Sequence, residues 1–131
     1  MATHATGTFE ITGWNEEDFE ELDGGGKLTH AEVSQTFTGA IEGAGSVRWL
    51  MCYRPDRSAD WVGLQLIDGE VGGRKGSFVL RSAGVFDSPK AAGDWTVVTG
   101  SATGELAGLS GSGRIEAPMG SQATYTLDYE L

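Results

Sequence analysis

Apolar and polar residues take turns along most of this chain. From residue 123 onward, Ala123, Tyr125, Leu127, Tyr129 and Leu131 alternate with Thr124, Thr126, Asp128 and Glu130, a period of two that gives a strand one buried and one wet face. Near the start, Phe9 and Ile11, flanked by Gly7 and Gly13, alternate with Thr6, Thr8, Glu10 and Thr12. No stretch of about a dozen residues carries apolar positions at i, i+3 and i+4, so no amphipathic helix is expected.

Six further strands are predicted between these two, over residues 27–38, 46–54, 60–70, 75–86, 93–99 and 111–117. Turn chemistry separates them: residues 24–26 (GGG), residues 43–45 (GAG), Pro55-Asp56, Asp68-Gly69 and Gly72-Gly73 supply positive φ or a preset corner. Connections this short join antiparallel neighbours, and eight such strands can close first against last, which removes exposed edges. The expected fold is all-β, an eight-stranded antiparallel up-and-down β-barrel forming one domain over residues 1–131, with a two-sheet sandwich as the rival. A barrel of this size has room for packed side chains or for one small ligand.

Two strands depart from simple alternation. Val47, Trp49, Met51 and Tyr53 share one face, yet Leu50 and Cys52 lie on the other beside Arg48 and Arg54; in the next strand Trp61 and Ile67 oppose Val62, Leu64 and Leu66. Apolar residues on both faces predict that something covers the outside of the barrel here, and a second copy of the chain, a homo-oligomer, is the expectation.

Composition sharpens this picture. The chain holds 21 glycines in 131 residues, about twice the usual ~7% share. Many fall at strand junctions, whereas Gly7, Gly13, Gly63, Gly76 and Gly84 fall inside strands, where they are expected to permit bulges and sharp coiling. A formal net charge of -10 repels phosphates and argues against nucleic acid or an anionic membrane surface as partner. Glu16, Glu17, Asp18, Glu20, Glu21 and Asp23 cluster within residues 15–23; they lack the alternate ligand spacing of a calcium loop and are expected to form a solvated surface turn. The single Cys52 and a start without a basic and apolar leader point to a reducing, cytoplasmic compartment. The longest apolar run, residues 49–53, is far short of the ~20 residues a membrane-spanning helix needs.

Residues 4–14 (HATGTFEITGW), 22–29 (LDGGGKLT), 74–80 (RKGSFVL), 95–108 (WTVVTGSATGELAG) and 127–129 resemble the bacterial domain-of-unknown-function family 3224 over nearly the whole chain. Residues 103–111 (TGELAGLSG) are also similar to the glycine-punctuated strand pair of allene oxide cyclases and dirigent proteins. The resemblance implies an allene-oxide-cyclase-like barrel with an interior pocket; those named families steer ring closure or radical coupling without a cofactor, often as oligomers. The chain departs from the family's pattern at His30, Ala40 and Ala102.

Motifs for other chemistry are missing. His4 and His30 are the only imidazoles and Cys52 the only thiol, and none sits at a zinc spacing, so neither metal nor cofactor is expected. The glycines of residues 100–113 lie between strand signals and lack the lysine of a phosphate-binding loop. His30, Glu32 and Ser34 share one strand face with neighbours about 7 Å apart, too far for a catalytic triad; the opposite face, Ala31, Val33 and Phe37, is the more apolar. The inward sets place Phe9, Trp49, Met51, Phe78, Leu80, Leu127 and Tyr129 as ligand-binding walls of any cavity. Tyr53 and Tyr125, with an acid such as Glu10 or Glu32, are the candidate catalytic groups. The predicted function is a small-molecule-binding β-barrel for an apolar ligand, acting either as a cofactor-free cyclase or isomerase or as a non-enzymatic binding or structural barrel with a packed interior.

Overall fold

A computed structural model describes residues 2–87, 90–118 and 122–131. Eight strands follow in order: β1 (Thr3–Glu21), β2 (Lys27–Gly39), β3 (Ile41–Tyr53), β4 (Ala59–Val71), β5 (Arg74–Asp87), β6 (Lys90–Val97), β7 (Ser110–Pro118) and β8 (Ala123–Glu130). Each pairs with the next, and β8 pairs with β1, so the sheet closes into the expected antiparallel up-and-down barrel. The alternation does what it promised. On β2, Ala31, Val33, Gln35 and Phe37 are buried while Glu32, Ser34, Thr36 and Thr38 are exposed. None of the described residues forms a helix long and apolar enough to cross a membrane.

Two local expectations are corrected. The acidic residues up to Glu21 are not a turn but the second half of β1, paired with β2 from Gly13↔Ser34 to Glu21↔Lys27. The turn comes later, at residues 22–26, closed by Leu22 N–H donating to the Gly26 carbonyl at 2.9 Å. Backbone pairing to a neighbouring strand outweighs the poor strand propensity of Glu and Asp. Residues 43–45 and Asp68-Gly69 also lie within strands, β3 and β4, where Gly43 pairs with Gly69. A Cβ on Gly43 would stand 2.7 Å from the Gly69 Cα, so these glycines serve close strand packing rather than reversal.

The interior has a closed end and an open end. At the closed end the rings of Phe37, Trp95 and Tyr125 meet at centroid distances of 5.7–6.1 Å. The loop after β6 carries a 3-10 turn (Gly104–Leu106) whose Leu106, together with Leu109, is buried under the barrel. That loop is stitched to β5 by Thr103 N–H donating to Ser77 O at 2.8 Å and Lys75 N–H donating to Glu105 Oε1 at 2.9 Å. Between the two ends Gln65 Nε2 donates to Gln35 Oε1, both side chains being buried.

The open end follows from unequal strand pairing. β1 pairs with β2 from Gly7 to Glu21 but with β8 only from Thr3 to Phe9. Beyond Phe9 the strand parts from β8 and stands with one edge unpaired among the described residues. On the outside, Leu50, Val62, Leu64 and Leu66 are 46–58% exposed, so the second apolar face predicted for β3 and β4 is real and uncovered in the single chain.

Candidate functional site

Where β1 leaves β8, the barrel opens onto a cavity of about 270 Å³. Phe9, Ile11 and Trp14 of β1 line one side, Trp49, Met51 and Tyr53 of β3 and Trp61 of β4 another, and Phe86, Ala91, Ile115 and Ala117 complete it, with Glu116 at the lip. Space for these rings comes from strand glycines. A Cβ on Gly84 would lie 2.5 Å from Trp61 Cζ2, and one on Gly93 2.7 Å from Trp61 Cη2, so two neighbouring strands forgo side chains to seat one indole. Gly63 does the same for Trp49, whose Cδ1 would be 2.5 Å from a Cβ there.

The three indoles form a chain. Trp14 and Trp49 have centroids 5.9 Å apart at 53°, and Trp49 and Trp61 5.2 Å apart at 48°. Trp49 Nε1 donates to Ser82 Oγ at 3.2 Å, which fixes the central ring. Beside them stands the polar corner of the site. Glu16 Oε2 accepts from Thr29 Oγ1 at 2.6 Å and from the Tyr53 hydroxyl at 2.9 Å, while Oε1 accepts from Trp14 Nε1 at 3.1 Å. Burial, the hydrogen bond to Glu16 and the negative charges of Glu16 and Asp18 together push the Tyr53 hydroxyl up to about 12. Tyr53 is therefore a proton-bearing donor throughout the neutral range.

Of the sequence-predicted residues, the structure brings Phe9, Trp49, Met51 and Tyr53 together around this cavity. The others lie elsewhere. Glu10 and Glu32 are exposed on the outside, and Glu32 pairs with Arg48 at 3.2 Å; both occupy the wet phase of strands whose alternate residues fill the interior. Tyr125 belongs to the closed end, where its hydroxyl accepts from Ile41 N–H at 2.8 Å and donates to Thr38 O at 3.0 Å. Burial raises its pKa, and its bonds hold the β2–β3 corner. Phe78, Leu80 and Leu127 are fully buried core side chains, and Tyr129 packs half-buried against that core. None of these four lines the cavity.

Glu16 and Trp14 escaped the sequence reading because a register shift between Ile11 and Gly13 reverses the phase of β1. Before it, Ala5 and Phe9 are buried; after it, Glu16 is the residue turned partly inward. A bulge of this kind moves the side chains that follow it to the other face, here as far as a second shift between Asp18 and Glu20. Glycine at residue 13 was its sequence signal.

Comparison with known proteins gives a family and a fold. The family described as a protein of unknown function, DUF3224, matches residues 5–129. A solved structure of a protein with unknown function from that family, from Shewanella oneidensis MR-1, is 28% identical, with a TM-score of 0.86 over 100% of this chain and 98% of that one. No functionally curated protein matches.

Proposed function

From the premise that the chain belongs to DUF3224, a family of unknown function, we propose that the open end of the barrel binds one small, largely apolar molecule. The observation that carries this reading is the 270 Å³ cavity walled by indole, phenyl and thioether groups. A well-packed domain rarely keeps an apolar void of this size without a use. Since a dry cavity of ~150 Å³ takes up benzene, this one suits a molecule of roughly ten non-hydrogen atoms.

Binding without chemical change is the simpler form of the proposal. General acid–base catalysis works best with a group that titrates near the working pH, and the Tyr53 hydroxyl, at about 12, is far from it. A cyclase or isomerase built on this site would rely on confinement, with Tyr53 donating a hydrogen bond rather than removing a proton.

The test is occupancy. Native mass spectrometry of freshly purified protein, and titration with indole followed by isothermal calorimetry, should both report one bound molecule per chain. Ala91→Phe, which fills the cavity from β6, should weaken indole binding at least ten-fold with the fold intact by circular dichroism. Equal binding by the wild type and this variant would defeat the proposal.

A further inference from the structure

Negative charge outweighs positive around the aromatic mouth. The three donors to Glu16 are an indole N–H, a phenol and a threonine hydroxyl, all neutral, so they hold the carboxylate in place without cancelling its charge. The ammonium of Lys27, on the neighbouring strand, is engaged with Asp18 at 3.3 Å. At the lip, Glu116 has its own partner in Lys90 at 3.3 Å. Among the described residues no lysine, arginine or histidine lines the cavity. The same end of the barrel carries Glu17, Asp18, Glu20 and Glu21 on β1, and the whole chain carries a net charge of -10. A cleft with low-dielectric walls focuses such a field into its mouth.

The aromatic walls point the same way. Ring faces carry negative quadrupole potential and attract cations, indole most strongly. Trp14, Trp49 and Trp61 are tilted against one another by about 50° rather than stacked, and all three contribute to the cavity wall. At the lip the chain already makes such a contact, with Lys27 Nζ 5.4 Å from the Tyr53 ring centroid.

Resting on the reading of the cavity as a binding site, we infer that its ligand is a small organic cation, an ammonium group on an apolar body, held against the indole wall, with Glu16, which is bonded to the lining residues Trp14 and Tyr53, as its counter-charge. Anions of similar size, such as aryl carboxylates, are turned away by the same field.

Benzyltrimethylammonium and its neutral carbon isostere, neopentylbenzene, separate charge from shape, and phenylacetate supplies the opposite sign. Titrations followed by tryptophan fluorescence should show the cation binding at least ten-fold more tightly than the isostere, more weakly as salt is raised, and phenylacetate not at all. Glu16→Gln should lower affinity for the cation at least ten-fold more than it lowers that for the isostere. If this variant does not fold, the salt dependence in the wild type decides the matter, because only the cation should show one. Equal or tighter binding of the isostere, or binding of phenylacetate, overturns the cation inference and leaves the apolar site standing. Binding of indole but of none of the three overturns the cation inference alone, and binding of none of the four defeats both.

Discussion

Tyr53 shows how one side chain's surroundings select its chemistry. Half-buried at the mouth and bonded to Glu16, it holds its proton to about 12, above the ~10 of a free phenol. A phenolate absorbance titration should show a step near 12 that Tyr53→Phe removes. In the unfolded chain the same group ionises near 10, so the folded state binds more protons between pH ~10 and ~12, and stability should fall as pH rises through that window. Below pH ~10 this contribution is fully present. The buried amides make a second case. Among the described residues Gln35 Nε2 and Gln65 Oε1 have no partner, so the pair is joined by a single bond, and losing one member leaves the other wholly unsatisfied. Gln35→Leu alone should cost ~1–3 kcal/mol in urea denaturation, and adding Gln65→Leu should restore part of that loss rather than double it.

At the scale of the strand, alternation and turn chemistry revealed eight strands, and they hid the two places where a strand changes its mind. Strand order and closure were legible because Ala123 to Leu131 and Phe9 to Ile11 alternate plainly. The site was only half legible. Phe9, Trp49, Met51 and Tyr53 sit in phase with their strands, whereas Glu16 and Trp14 lie beyond the shift at Ile11/Gly13, which single-sequence periodicity cannot date. The acids of β1 also read as a loop, although charges along an unpaired edge are how a strand avoids joining another sheet. Glycines inside strands were assigned to bulges and coiling; Gly84 and Gly93 turn out to be the seat of Trp61. Gly84→Ala should therefore cost ~1–3 kcal/mol by overpacking, visible as a lower thermal midpoint together with a shifted tryptophan emission, whereas an alanine in open space would change neither.

The whole molecule presents two apolar surfaces, the mouth and the outer face of β3–β5. Leu50, Val62, Leu64, Leu66 and Val85 lie there side by side, 43–58% exposed, with Leu64 opposite Arg81 and Leu66 opposite Val79. A patch of three or four strands by about seven residues covers roughly 400 Å², and its charged rim (Arg48, Arg81, Asp60 and Asp68) can extend contact toward the ~800 Å² per partner of a stable pair. The rim carries both signs, which suits a second copy of the same surface. Light scattering at micromolar concentration should give the mass of two chains, and Leu64→Glu should give one. A wild-type monomer would refute the homodimer.

The seam where β1 meets β8 sets Thr3 opposite Tyr129, so the first and last strands run side by side in opposite directions. The order in which the strands are written along the chain is then nearly arbitrary. A short linker joining the last residue to the first, with a new break in the exposed Pro55-Asp56-Arg57 turn, would yield a circular permutant with every strand pair intact. In such a molecule β1 and β8 become a hairpin, and the pairing that joins the most distant parts of the present sequence becomes a local one.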